Sequence, residues 1–331
     1  MTNELKRRID LLLRPVGRKL DAGKMKTLGI RNTMHLAKRY NRFLHGRYQR
    51  ARELAYRERL EELFRENGSV PDQSKNLLRD GFALDQSLSL PYLEEMLAEA
   101  EQVIEERGGE ADVDDRYRAF FRNIIDLEDH RRWPSFLDFI TTSEALAPVC
   151  HYLKFIPALS KTLPTGVRVV ESGKHLDALS HLPPRDSQVF HIDPYDHPMV
   201  YVIVLLRDCA LENGPFTWLS DSVSQATSQA LNYWSYGRPY RLSDEEIYSV
   251  TDPQQTHRLI YPKGTVLYID TSRCFHFGSR DADEPRFQVM YGLTSVCRSD
   301  FSESYMPSFE YPIKHDDSEI RKMVLDRRYL P

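Results

Sequence analysis

Apolar residues recur at helical spacing in the first part of the chain and at strand spacing in the rest. Leu93, Met96, Leu97, Ala100, Val103 and Ile104 follow an i, i+3, i+4, i+7 pattern that predicts one helix face, and Gly108-Gly109 stops it. A second helical region is predicted over 133–153, interrupted at Pro148. Beyond it the pattern shortens to that of strands, with candidates at 166–171, 187–193, 199–207, 215–219, 264–270, 275–278 and 286–295, and one more near 258–261. Eight such strands suit a jelly roll of two facing sheets. The expected class is α+β, mainly β: a double-stranded β-helix core flanked by helices, with an N-terminal helical extension.

The connections refine this layout. Asn213-Gly214 predicts a tight turn with positive backbone angles, which would lay 199–207 antiparallel to 215–219. The long segment 221–258 carries Tyr233, Trp234, Tyr236 and Tyr240, and is expected to form a lid or a substrate wall. Gly68-Ser69-Val70-Pro71-Asp72 reads as a linker. It divides the chain into a basic helical extension at 1–70, a catalytic body with covering helices at 71–310, and a helical tail at 311–331.

Charge changes the picture of the extension. Residues 1–60 hold 17 Lys or Arg against 5 Asp or Glu, a surplus of +12 that the remainder offsets with −16 to leave −4. This arm is rich in helix formers, with breaks expected near Pro15-Val16-Gly17 and Gly29. It is expected either to pack on the acidic body or a second subunit, or to touch an anionic membrane or another polyanion. No nucleic-acid motif accompanies the charge. No stretch approaches the roughly 20 apolar residues of a bilayer span. The opening Met1-Thr2-Asn3-Glu4-Leu5-Lys6-Arg7-Arg8 lacks the apolar core of a secretory signal. A cytoplasmic location is therefore expected, with membrane-peripheral contact through the arm as the further option. Cys150, Cys209, Cys274 and Cys297 are scattered, which points to buried free thiols and to neither a zinc site nor a disulfide framework.

The candidate chemistry lies in His191-Ile192-Asp193. Side chains two apart on a strand share a face, so His191 and Asp193 offer two ligands, and His276 can be the third. Two imidazoles and one carboxylate on one face of an octahedral ion leave the opposite positions open, as non-haem Fe(II) oxygenases require. Arg286 follows ten positions after His276 and opens an apolar run, where its guanidinium can clamp a carboxylate through two hydrogen bonds. A dicarboxylate such as 2-oxoglutarate fits that geometry. His197 is a weak competitor for the metal, Asp270 a candidate to orient His276 or end a strand, and Arg273 and Arg280 candidates for an anionic substrate or for strand-end positions.

These residues resemble the Fe(II)/2-oxoglutarate-dependent oxygenases, and among them the phytanoyl-CoA dioxygenase-like family. The resemblance covers roughly 76–296. It includes Asp80-Gly81-Phe82-Ala83-Leu84, the strand ending in Glu212-Asn213-Gly214-Pro215, the Asp270-Thr271 pair and Gly278. It implies Fe(II) held by His191, Asp193 and His276, 2-oxoglutarate anchored by Arg286, O2 as co-substrate, and Gln188 as a further cosubstrate contact. Two departures stand out: Ser220-Asp221-Ser222-Val223 replaces the usual Pro-Gly-Ser-His, and Phe216 replaces a Thr that helps to bind the cosubstrate. Asp193 occupies the place that is Gly or Ala in related halogenases, which favours hydroxylation or another two-electron oxidation.

The expectation is a dioxygenase that hydroxylates a carbon of a small-molecule, lipid or carbohydrate substrate and releases succinate and CO2. The alternative is a catalytically silent sensor or scaffold that binds metal and 2-oxoglutarate.

Overall fold

A computed structural model describes residues 28–59, 71–109, 120–160, 166–301 and 311–331. The predicted break at Pro15-Val16-Gly17 and the Gly68-Ser69-Val70 part of the linker lie outside the described residues.

Two antiparallel sheets face each other. The larger has seven described strands: β1 (Phe82–Asp85), β2 (Phe121–Asn123), β3 (Ala158–Leu159), β4 (Val167–Ser172), β5 (Val200–Leu205), β8 (Val266–Ile269) and β10 (Arg286–Thr294). Their order is β1-β8-β5-β10-β4-β2, with β3 added on β10. The smaller sheet is β6 (Thr217–Leu219) between β7 (Thr256–Arg258) and β9 (His276–Phe277). This is the expected jelly roll.

Alternation of side chains assigns the layers. Val169, Val202, Val204, Val289 and Tyr291 face outward from the large sheet and pack beneath the helices. Val170, Tyr201, Ile203, Leu205 and Met290 face inward, toward Phe216 and Trp218 of the small sheet. Every residue of β10 is buried, so both faces of this central strand are covered.

The two helical regions expected in the body form, the second with a change. Helix α1 (Ile30–Glu58) belongs to the extension, α2 (Asp72–Asp80) precedes β1, and α3 (Leu93–Arg107) ends at Gly108. The region 133–153 splits into α4 (Ser135–Ile140) and α5 (Ser143–Leu153), and the break falls at Thr141-Thr142, not at Pro148. Thr142 Oγ1 accepts a hydrogen bond from the Ala145 amide and starts a new helix. Pro148 removes one donor inside α5 without ending it.

The Asn213-Gly214 turn forms, with Gly214 at φ +60°, but it does not make a hairpin. β5 pairs with β8 and β10, whereas β6 pairs with β7 and β9. The chain crosses there from one sheet to the other. The segment 221–258 contains α6 (Asp221–Ala230) and α7 (Asp244–Tyr248), and its Tyr233 and Leu242 pack with Phe190, Ile192 and Phe275 on the outer side of the small sheet.

Helix α1 is bound firmly to the body. Arg52, fully buried, donates to the carbonyls of Ile156 and Pro157 and to those of Met323 and Asp326, at the C-terminal helix α8 (Glu319–Leu325) and its cap. Asn41 donates to the carbonyls of Arg298 and Asp300. The opposite face of α1 exposes Leu36, Tyr40, Phe43 and Leu44, Phe43 at 88%.

Candidate metal centre

His191 pairs with His276 on the β9 edge of the small sheet through an isolated antiparallel bridge. The His191 amide donates to the His276 carbonyl at 3.1 Å and the His276 amide donates back at 2.9 Å. The segment 187–193 is thus not the continuous strand expected from its pattern: it opens with a short 3-10 turn and makes isolated bridges at Phe190 and His191. The bridge is enough to set the face. Asp193 is fixed by its own amide, which donates to the Thr271 carbonyl at 2.8 Å.

One ligand atom from each of His191, Asp193 and His276 lies within 4.8 Å of the others, and all three residues are buried. His276 Nε2 is 3.7 Å from Asp193 Oδ2, and the imidazole centroids are 4.4 Å apart. His191 Nδ1 lies 2.8 Å from the Val189 carbonyl and His276 Nδ1 lies 3.0 Å from that of Cys274. A carbonyl only accepts, so each Nδ1 carries a proton, and in the neutral form of the ring Nε2 is the atom left with a lone pair. This is the outer support that metal-binding imidazoles require. Burial, then the neighbouring His191, pushes His276 down to about 4, while Asp193 and the Cys274 carbonyl oppose the shift. The ring is neutral at physiological pH and free to ligate. Phe216 stacks on it at 5.4 Å and gives the site a flat apolar wall.

Arg286 begins β10 inside the barrel. Its guanidinium donates to the Gly214 carbonyl and, at 3.1 Å, to Ser279 Oγ, while Nε has no partner among the described residues. No described carboxylate neutralises it, and burial lowers its pKa to about 10. A buried cation without a counter-ion is costly, and the two hydrogen bonds to the Gly214 carbonyl and Ser279 Oγ offset that cost only in part. Gln188 reaches the same Ser279, with both ends of its amide engaged, donating to the Ser279 carbonyl at 2.8 Å and accepting from the Arg185 amide at 3.2 Å. It holds the loop that carries Ser279.

Asp270 is fully buried and shapes the turn before the distal histidine. It accepts from Tyr152 Oη at 2.6 Å and from the Ser272 amide and hydroxyl at 2.9 and 2.6 Å, and burial raises its pKa. Arg273 is paired with Asp221 and Arg280 with Asp244, which assigns both to holding the loops around the barrel end. His197 is exposed and contacts Ser272 Oγ, outside the three-ligand cluster.

Sequence reasoning missed two inward-facing residues next to Arg286. Gln288, two positions on along β10, is buried with neither amide atom bonded to a described group. Ser172 lies directly opposite Arg286 in the β4–β10 register and its Oγ is also without a partner. The available signal was the period of two from Arg286 to Gln288.

No protein-family model and no curated protein matches the chain. Among solved structures it is similar to the non-haem α-ketoglutarate-dependent epimerase SnoN from nogalamycin biosynthesis, with 16% identity and a TM-score of 0.41 over 67% of this chain and 81% of that one. It is also similar to AviO1 from Streptomyces viridochromogenes Tue57, at 15% identity and TM-score 0.43 over 69% and 97% of the two chains. A third is EctD from S. alaskensis, solved with 2-oxoglutarate and 5-hydroxyectoine, at 13% identity and TM-score 0.42 over 69% and 77%.

Proposed function

We propose that this chain is an Fe(II)- and 2-oxoglutarate-dependent dioxygenase that hydroxylates a carbon of a small organic substrate. The observation that carries the reading is the coexistence, inside one barrel, of two imidazole Nε2 atoms and a carboxylate with a buried guanidinium that lacks a counter-ion. The donor set fits Fe(II): borderline imidazole nitrogen and hard carboxylate oxygen on one side of the ion, with no thiolate to favour zinc. When bound, iron with 2-oxoglutarate and O2 supplies a two-electron oxidation of a C–H bond, with succinate and CO2 released.

The protein's part is placement. His191, Asp193 and His276 would hold the metal from one side, and their hydrogen bonds to main-chain carbonyls fix ring orientation before metal arrives. Arg286 would accept the far carboxylate of the cosubstrate, with Ser172 and Gln288 lining the same inner face. Phe216 and the inward side chains of β5 and β10 keep water from the site.

The deciding experiment is an anaerobic titration of metal-free protein with Fe(II) and then 2-oxoglutarate, followed through the visible charge-transfer band of the chelate. The band is expected in the parent and weakened in Arg286→Ala. Iron binding without a band would reject the reading, and a band without any succinate under O2 would favour the silent sensor.

The exposed face of α1 supports a peripheral association with anionic membrane. Leu36, Tyr40, Phe43 and Leu44 share one side of the helix with Arg39, Arg47 and Arg50, all exposed, and the buried side is committed to the body. No helix among the described residues is long and apolar enough to cross a membrane.

A further inference from the structure

A cavity of about 700 Å3 lies beside α1 and is not the metal pocket. Ile192 and Phe275 line it, and these alternate along the chain with His191, Asp193 and His276, so they point away from the ligand cluster. One thickness of backbone separates the two spaces. Met34 of α1 closes one side, Ser224 and Ser228 of α6 the other, and Trp234 adds an aromatic wall.

We propose that this cavity is a second ligand site that takes a hydroxyl-rich small molecule carrying one anionic group. Its volume falls in the range of small-molecule pockets. Ser228 is more than nine-tenths buried, lines the cavity, and its Oγ has no hydrogen-bond partner among the described residues. A buried hydroxyl left unpaired is unfavourable, and a ligand hydroxyl would satisfy it. Gln225, Gln229, Ser272 and Ser299 add amide and hydroxyl groups to the lining, and Trp234 offers a flat face for the apolar side of a sugar-like ring.

Charge bookkeeping selects the anion. Asp221 is the one carboxylate among the described lining residues, and Arg273 neutralises it through two contacts. Lys38 is matched by the buried Asp196 at 2.6 Å. Arg31 is left without a described carboxylate partner, and His35 and His197 also line the cavity. The residual field is positive, and it attracts one anionic group.

The test is equilibrium dialysis of the full chain with glucose 6-phosphate and gluconate, glucose serving as the neutral control, alongside Trp fluorescence. One saturable site per chain is expected for at least one of the two anions, with glucose weaker. Arg31→Ala and Ser228→Ala should each reduce affinity about tenfold, Trp234→Phe should remove the fluorescence change, and Asp193→Ala should leave binding intact. Circular dichroism checks that each variant folds. Absence of saturable binding at millimolar anion, equal affinity for glucose, or binding indifferent to both Arg31→Ala and Ser228→Ala would overturn the proposal. Binding lost in Asp193→Ala would place the ligand at the metal and overturn it too.

Discussion

Ser172 faces Arg286 directly across the β4–β10 ladder, and neither the hydroxyl of the first nor the Nε of the second has a described partner. A donor-only guanidinium N–H next to a hydroxyl that can also donate marks where a carboxylate would lie. Arg286→Lys keeps the charge but loses the planar fork. It is expected to weaken 2-oxoglutarate about tenfold or more while leaving Fe(II) affinity near that of the parent. Calorimetric titration of each ligand separately checks this, and a cosubstrate affinity unchanged in Arg286→Lys and Ser172→Ala would reject the assigned anchor.

Gln288 allows stability and binding to be pulled apart. Its amide is buried and unbonded, so Gln288→Leu removes an unsatisfied polar group at similar volume. The ligand-free protein is expected to gain about 1 kcal/mol, whereas 2-oxoglutarate should bind more weakly. Denaturant unfolding and a cosubstrate titration provide the two readings. A variant that is destabilised without a binding defect would mean that Gln288 serves the fold alone.

Gly214 connects the crossover to the anchor. It sits at φ +60°, a Cβ there would approach Ala282 Cβ to 2.8 Å, and its carbonyl accepts from Arg286. Gly214→Ala is expected to cost about 2–4 kcal/mol in stability and to shift the guanidinium, raising the 2-oxoglutarate requirement. Chemical denaturation with a cosubstrate saturation curve would show both, and a variant of parental stability would contradict the strained-turn reading.

The same turn shows what was legible in the chain. Asn213-Gly214 announced a positive-φ glycine locally, but the partner strands of β5 and β6 depend on which sheet each joins, and no local residue encodes that choice. His191, Asp193 and His276 could be picked out as a group because metal chemistry restricts ligand type and order, and the structure brings their ligand atoms together; the anchoring role of Arg286 stays a proposal. Gln288 could be reached only through its spacing of two from Arg286, because both faces of β10 are buried and the usual contrast between inward and outward positions is lost. The short strands β1, β2 and β3 escaped for another reason: two to four residues carry too little periodicity to separate a strand from a loop.

His130 sets a pH dependence remote from the metal. It is buried beside Tyr311, its Nδ1 has no described partner, and burial lowers its pKa to about 4. The folded state therefore resists a proton that the unfolded chain takes up below about 6.5. Stability is fully present above that value and falls as pH drops toward 4, by about 2–3 kcal/mol from this residue. His276 acts in the same direction in metal-free protein. His130→Phe should flatten the decline between pH 6.5 and 4 measured by urea unfolding in the absence of metal, and an unaltered slope would remove His130 from the account.

Helix α1 combines an exposed apolar stripe with arginines, and its inner face is already used by Arg52 and Asn41. A second copy of the chain would bring one cationic stripe against another, a repulsive arrangement, whereas an anionic bilayer offers both negative charge and an apolar interior. Full-length protein is expected to sediment with phosphatidylglycerol vesicles and to stay in solution with phosphatidylcholine. Phe43 is the most exposed large apolar residue of the stripe at 88%, so Phe43→Ser should release the protein with little effect on folding. Raised salt should release it as well, because the attraction of the arginines is screened. Sedimentation that is indifferent to lipid charge, or that survives Phe43→Ser together with Leu36→Ser, would show that α1 does not carry the association.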